Sequence, residues 1–276
     1  MELGAIRWIE ALPIAILVAF VKDHQVRYPT TKGTILVPER YEYLQRMDFF
    51  KAIGAKLPEG FKRRDPAGRF VPVRAVESSS GVHVAAEEIV QTLRIGDLDA
   101  ESTLRHCIGE IVDNVFVHSR SPVNAVICAQ HFPNARRSQV GIVDTGIGFR
   151  GSFGENTTFH RLHLGQRDAL VLGLAPFVTS KPQTGAPYEH SYGRLGVGLF
   201  IVAEVLDRVG GRFFLVSEGA GVDRRGGRHH WSSVKPWRGT IVGFEVPDEP
   251  LMSYQEATRA ARDKARELSS SRGSTI

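Results

Sequence analysis

The sequence E-I-V-D-N-V-F-V-H-S at residues 110–119 carries two side-chain patterns on one predicted helix. Apolar residues recur at the spacing of a helix face, which predicts a stripe facing the core; they are Leu104, Ile108, Ile111 and Val115. A second stripe consists of Glu110, Asn114 and His118, four residues apart and therefore on one face. A solvated face is the ordinary interpretation. However, this stripe contains no Lys or Arg, and Asn is a poor helix former, so the pattern favours a binding surface.

Two glycine-rich segments follow downstream. D-T-G-I-G-F at residues 144–149 ends an apolar strand with a carboxylate, and Asp144 at a strand end can accept a hydrogen bond from an exocyclic amine. Its two glycines would let the backbone lie flat against a planar ring. G-R-L-G-V-G-L-F-I-V at residues 193–202 leads straight into a predicted helix. The backbone N–H groups and positive dipole of such a helix start suit a phosphate group.

A dinucleotide-binding motif is the alternative for the second segment. Glu218 ends a strand about 20 residues on, as that motif requires. However, the glycine order is G-x-x-G-x-G, and no strand leads directly into the loop. This alternative is therefore disfavoured, and a Walker-type phosphate loop is absent from the sequence.

Taken in order, these segments resemble the motifs of the GHKL ATPase superfamily. Its members include gyrase B subunits, ATP-dependent heat-shock chaperones, sensor histidine kinases, mismatch-repair ATPases and anti-sigma kinases. E-I-V-D-N-V-F-V-H is similar to the N box, and D-T-G-I-G, G-R-L-G-V-G-L-F-I-V and G-T-I-V-G-F-E-V-P are similar to the three glycine boxes. P-F-V-T-S-K-P, before the second glycine box, resembles a lid segment. The resemblance covers roughly residues 70–248. It implies an α+β fold of the Bergerat type, with a helix layer on a mixed, mainly antiparallel sheet.

The resemblance also implies the cofactors ATP and Mg²⁺. By position, Asn114 would hold the metal ion and Asp144 would bind the adenine amine. Gly146 and Gly148 would border the base, and Thr240 would lie on the adenine side.

The same comparison of motifs implies a phosphate side of the site. Lys181 could neutralise the γ-phosphate, and Glu110 is the candidate catalytic carboxylate that orients or activates water. The remaining expected nucleotide contacts are His118, Gly193, Arg194, Gly196, Val197, Gly198 and Leu199. Residues 150–192, irregular in pattern, are expected to form a lid over the triphosphate.

Three regions are expected along the chain: an N-terminal α/β segment at 1–65, the ATP-binding domain at 68–248, and a charged helical tail at 249–276 whose end is disordered. In the first region an apolar run at 11–21 predicts a buried strand or helix, residues 33–39 predict a strand, and residues 40–54 predict a helix closed by Gly54. The region faintly resembles a STAS domain; the alternative is an extension that packs on the ATPase domain. In the second region Asp99 is the expected helix cap, and residues 219–238 are expected to be a polar loop.

Composition limits the cellular compartment and the kinds of partner that the sequence predicts. The chain has 276 residues, a net charge of +5 and only two cysteines, which indicates a reducing cytoplasm rather than a disulfide framework. The apolar run at 11–21 is too short to span a bilayer, and no basic region precedes it as in a signal peptide. A protein partner is expected and a homodimer is left open. Nucleic acid binding through R-R-G-G-R-H-H-W at 224–231 is left open but not favoured.

Four functions remain open on the sequence. The preferred hypothesis is a nucleotide-dependent regulatory switch that binds ATP with Mg²⁺ and hydrolyses it slowly. The alternatives are a serine or threonine kinase of the anti-sigma type, an interaction module that binds nucleotide without turnover, and a nucleic-acid-associated ATPase.

Overall fold

In the part of the chain that the structure describes, five β-strands form an open sheet with helices on both faces. The computed structural model describes residues 3, 8–31, 33–37, 41–180 and 196–273. The helices are α1 (Ala11–Arg27), α2 (Glu42–Arg46), α3 (Phe49–Ala52), α4 (Val82–Leu93), α5 (Leu98–Asn114), α6 (Gly148–Gly154), α7 (Thr157–His160), α8 (Gln166–Gly173), α9 (Gly198–Val209) and α10 (Tyr254–Gly273). The strands are β1 (Phe70–Val76), β2 (Ala125–Phe132), β3 (Arg137–Val143), β4 (Arg212–Arg225) and β5 (Arg228–Pro247).

The strand order is β1-β2-β3-β5-β4, and all neighbouring pairs are antiparallel. The expected α+β sandwich is confirmed. A parallel pair, which the expectation of a mixed sheet allowed, does not occur among the described strands.

Helices α4, α5 and α9 cover one face of the sheet and share a hydrophobic core with it. The predicted stripe lies in this core, since Leu104, Ile108 and Ile111 are buried. The expected cap at Asp99 is wrong. Asp97 is the extended residue before the helix, and its carboxylate accepts a hydrogen bond from the backbone N–H of Ala100 at 2.8 Å. Asp99 lies inside the first turn instead, where its charge still suits the helix dipole.

The opposite face of the sheet is covered by α1, so the apolar run at 11–21 forms a helix. Its side chains share a second core with β1, β2 and β3. Two glycines that pair across β3 and β5, Gly141 and Gly243, leave room for Leu12 on this face. A Cβ atom at Gly141 would lie 2.9 Å from the Cα atom of Leu12, so the helix rests directly on bare backbone.

The rest of the N-terminal region differs from expectation. Residues 33–37 contain only an isolated bridge at Leu36, whose carbonyl accepts from the backbone N–H of Leu3 at 3.0 Å, and residues 38–39 lie outside the described part. The helix expected at 40–54 is broken into α2 and α3 because Asp48 has a left-handed φ of 57°. Gly54, with φ 79°, does end the second piece. The STAS-like resemblance and the domain boundaries stay predictions.

We expect Gly243→Val to destabilise the fold by about 1–3 kcal/mol, because the added side chain would overlap Leu12 in a packed interface. Urea unfolding would measure the loss, and limited proteolysis should release the N-terminal region faster than in the wild type. Gly60→Val, at an open position, is the matched control. Unchanged stability of Gly243→Val would show that α1 does not depend on this contact.

The polar loop expected at residues 219–238 is wrong. The segment is a two-stranded ribbon, hereafter the β4–β5 ribbon, in which the strands stay paired as far as Arg225 and Arg228. Its polar composition suggested a loop, but strands that face solvent need no apolar alternation. Four exposed cations without an ion-pair partner among the described residues lie on it: Arg225, Arg228, Lys235 and Arg238.

The ribbon folds back along α9. Its corner is Glu218, which has a left-handed φ of 54° at a break in strand register. Beyond this corner Asp223 returns to the start of β4, where its carboxylate accepts from Arg212 Nε at 2.9 Å. Arg224 then enters a buried ion pair with Glu204 of α9 at 2.9 Å. Burial would raise the pKa of Glu204, but hydrogen bonds from Arg208, Lys264 and Arg224 lower it to about 2.

The C-terminal helix α10 is longer and more integrated than the expected tail. Tyr254, Ala257, Ala261 and Ala265 form a buried stripe against α9 and α5. The helix continues to Gly273, through residues expected to be disordered, and residues 274–276 lie outside the described part. Among the described helices, none combines the length and apolar character needed to cross a membrane.

Candidate nucleotide-binding site

A cavity of about 940 Å³, including its open mouth, lies between α5, α9 and the ends of β3 and β5. Residues of α6 and the segment 178–180 close its remaining side. The predicted site residues that line it are Glu110, Asn114, His118, Asp144, Gly148, Gly196, Gly198, Leu199 and Thr240. Gly146 and Val197 do not line it, and Lys181, Gly193 and Arg194 lie outside the described residues.

The polar stripe of α5 forms one wall of the cavity. Glu110 is buried, whereas Asn114 and His118 are partly exposed towards the cavity. After Asn114 the helix widens into one π-helical turn, Val115–Ser119, a distortion that often marks functional sites. The turn ends where the hydroxyl of Ser119 donates to the carbonyl of Val115 at 2.6 Å. The stripe therefore continues past the end of α5 and brings His118 to the cavity.

Glu110 binds the first turn of α9. Its two carboxylate oxygens each accept a backbone hydrogen bond at 3.1 Å, one from Val197 and one from Gly198. Glu110 thus acts as a cap for α9 from another helix, at N–H groups that the sequence suggested for phosphate. Gly198 permits this contact, because a Cβ atom there would lie 2.8 Å from the carbonyl oxygen of Cys107. Burial raises the pKa of Glu110 to about 7, against the lowering effect of the backbone hydrogen bonds.

Asp144 forms the floor at the other end of the cavity. Its backbone N–H donates to the carbonyl of Thr240 at 2.9 Å, and its carboxylate accepts from the backbone N–H of Gly146 at 2.8 Å. Burial raises the pKa of this carboxyl to about 7, although hydrogen bonds from Gly146 and Thr240 oppose the shift. Gly146 has a packing role here: a Cβ atom at this position would overlap the backbone carbonyl of Ser119, which ties the loop to the end of the α5 wall.

The two raised pKa values predict a pH-dependent stability in the absence of nucleotide. The folded chain keeps protons on Glu110 and Asp144 up to about pH 7, whereas the unfolded chain loses them near 4.5 and 3.8. The free energy of unfolding should therefore fall as pH rises through this window. The double variant Glu110→Gln/Asp144→Asn has no protons to lose in this window. From about pH 5 to about pH 8, the free energy of unfolding of the wild type should therefore fall by several kcal/mol relative to that of the double variant, which urea unfolding at both pH values measures. An equal difference between the two proteins at both pH values would contradict the shifts.

Sequence reasoning missed several residues of the cavity. Ser152 and Ser180 form a hydrogen-bonded chain with His118, and the rings of Phe149 and Phe153 lie 6.4 Å apart beside it. Phe149 and Ser180 stand inside the motifs quoted above, but nothing in their spacing marks them as wall residues. Trp237, which the sequence did not single out either, lies behind the cavity wall; its indole Nε1–H donates to the backbone carbonyl of Asp144 at 2.9 Å and fixes the floor from the ribbon side.

The fold and the cavity define an ATP-binding protein of the GHKL type. The family described as histidine kinase-, DNA gyrase B- and HSP90-like ATPase matches residues 99–250, which contain all the cavity elements. The chain belongs to this family. No curated protein matches the chain.

Proposed function

We propose that the chain is a regulatory switch that binds ATP together with Mg²⁺ in the α5–α9 cavity and hydrolyses the nucleotide slowly. Membership in the ATPase family supports the nucleotide. The observation that carries the proposal is the placement of Asp144 and Asn114 on one cavity, a buried acceptor at its floor and an amide on its wall.

The floor suits an adenine ring. Asp144 offers carboxylate oxygens to an exocyclic amine, and the neighbouring Thr240 lines the same cavity. Apolar side chains, which a planar base requires, line the same cavity: Ile142, Val242, Leu199 and Phe149. A guanine base presents a carbonyl where adenine has its amine, so Asp144 would repel it.

The wall suits Mg²⁺ that arrives with phosphate groups. Among the described residues no cluster of three His, Cys, Asp or Glu side chains could hold a metal ion. Asn114 offers one amide oxygen, and Mg²⁺ in proteins commonly keeps one or two protein ligands plus phosphate oxygens and water. Asn114 would therefore hold the ion, which neutralises phosphate charge when bound.

Glu110 supports a link between nucleotide and conformation. Its carboxylate joins α5 to the start of α9 by two backbone hydrogen bonds, and phosphate groups compete for such N–H donors. With its pKa near 7, Glu110 can accept a proton from water at neutral pH. Because Glu110 lies between α9 and the cavity, it would both respond to bound phosphate and promote the release of phosphate from ATP.

A protein partner would distinguish the two states of such a switch by binding one of them in preference to the other. The exposed cations of the β4–β5 ribbon favour an acidic partner surface. The ribbon also contacts the floor of the cavity through Trp237, which offers a physical connection between partner and nucleotide.

Incubation of the pure chain with ATP labelled at the γ-phosphate tests the proposal, with Mg²⁺ and with a chelator, alone and with cell extract. Continuous release of free phosphate that requires Mg²⁺ is expected. Label on another protein would support the kinase alternative instead. Binding without release or transfer would support the interaction module, and absence of binding would contradict the nucleotide site itself.

A further inference from the structure

The side chains of Ser152, Ser180 and His118 form a hydrogen-bonded chain on the cavity wall, which the sequence motifs did not predict. The hydroxyl oxygens of Ser152 and Ser180 lie 2.5 Å apart, and the Ser180 oxygen lies 2.9 Å from Nδ1 of His118. The Ser180 backbone is held as well, since its carbonyl accepts from Asn156 Nδ2 at 2.6 Å. Contacts to its hydroxyl oxygen and to its backbone carbonyl therefore hold Ser180 in place, and they come from two different helical segments.

A hydroxyl paired with an imidazole is the arrangement that activates a serine as a nucleophile. The imidazole can accept the hydroxyl proton as the oxygen attacks, and Ser152 holds that oxygen from its other side. If these hydrogen bonds were purely structural, they would need the same contacts but no reactive group near Ser180.

The neighbourhood supplies a reason to expect reaction. Ser180, His118, Asn114 and Glu110 all line the same cavity, and His118 lies one helical turn beyond Asn114, on the phosphate side of the site as proposed. Ser180 is only 8% exposed, so its oxygen faces the cavity contents rather than bulk water. A phosphoryl group bound there would have a protein hydroxyl as a neighbour in competition with water.

We propose that Ser180 is a phosphoacceptor, to which the chain transfers the γ-phosphoryl group of its own bound ATP; this rests on the proposed function. The Ser180 oxygen bonds to the γ-phosphorus while the bond from that phosphorus to the β,γ-bridging oxygen breaks, and ADP leaves. The hydroxyl proton passes to Nδ1 of His118 and from there to solvent. The product carries two negative charges and has lost the hydroxyl that bonded to His118. The segment at 178–180 would thereby stay phosphorylated after the chain has used a nucleotide.

The test begins with the full chain, ATP and Mg²⁺, followed by intact-mass measurement and peptide mapping. One phosphoryl group on Ser180 is expected in the wild type. Ser180→Ala should remove it, and Ser180→Thr should restore it as phosphothreonine at the same position. Ser78→Ala, at an exposed serine whose hydroxyl oxygen lies 2.7 Å from that of Ser80, is the matched control and should be modified like the wild type. Titration calorimetry with ATP on each variant separates loss of the acceptor from loss of binding.

A second readout needs no nucleotide. Diisopropyl fluorophosphate modifies serines that an imidazole activates, and labelling of Ser180 should fall at least about tenfold in His118→Ala. An unmodified Ser180 in a chain that binds ATP would overturn the proposal and leave the proposed function standing. Labelling that His118→Ala does not change would overturn it as well. Loss of ATP binding in the wild type would instead refute the nucleotide site.

Discussion

Asn114→Ala should abolish the Mg²⁺-dependent part of ATP binding and leave the fold intact. Asn114 lies at the last position of α5 and lines the cavity, outside the core formed by Leu104, Ile108 and Ile111. Its amide oxygen is the expected protein ligand of the metal ion, and alanine removes that ligand while it favours the helix. We expect ATP affinity in Mg²⁺ to fall by at least about tenfold, to the level measured with a chelator.

Titration calorimetry in Mg²⁺ and in chelator measures this effect, and thermal unfolding checks the fold. Asn134→Ala, in the exposed turn between β2 and β3, is the matched control and should bind like the wild type. If Asn114→Ala retains wild-type affinity and its Mg²⁺ dependence, Asn114 is not the metal ligand.

Glu110→Gln should separate binding from turnover. We expect ATP affinity within a few-fold of the wild type and turnover lower by roughly 100-fold, because the change removes the candidate base. The structure adds a second effect to this expectation. Both carboxylate oxygens accept backbone N–H groups of α9, and the NH₂ group of glutamine cannot replace one of them. The variant should therefore also loosen the start of α9.

Steady-state phosphate release and calorimetry on the same preparation distinguish these effects. Wild-type turnover should rise with pH through about 7, as Glu110 loses its proton, and the variant should lack this rise. Glu101→Gln, in the first turn of the same helix, is the matched control. Wild-type turnover in Glu110→Gln would exclude Glu110 as the base. If the wild type itself releases no phosphate, the kinase and interaction-module alternatives take the place of the switch.

The sequence was informative where a local pattern determines the structure. The α5 stripe at Leu104, Ile108 and Ile111 required only helical periodicity, and the strands before Asp144 and after Gly239 required only apolar runs between turns. Nine of the fourteen residues predicted for the site line one cavity, because the family motifs fix the order of its walls.

Contacts between distant segments were beyond the sequence. Leu12 packs on the backbone of Gly141 and Gly243. This contact depends on tertiary packing, which produces no periodic pattern in the sequence. The polar composition of the β4–β5 ribbon does not distinguish it from a loop, and the pairing of Arg224 with Glu204 and Asp207 of α9 depends on tertiary contacts. The bond between Ser180 and His118 joins residues 62 positions apart, and neither residue type predicts the other.

We propose that Asp144 selects an adenine nucleotide at the floor of the cavity, and calorimetry with ATP and GTP tests this selection. At about pH 8, where Asp144 is ionised, the wild type should bind ATP and reject GTP, since the buried carboxylate accepts from the amine of adenine and repels the carbonyl of guanine. Asp144→Asn should weaken ATP binding and narrow the difference, because its amide can turn an N–H donor towards that carbonyl. Asp99→Asn, on the first turn of α5, should behave as the wild type. Normal ATP affinity with continued rejection of GTP in Asp144→Asn would show that Asp144 does not select the base and is only a residue of the turn.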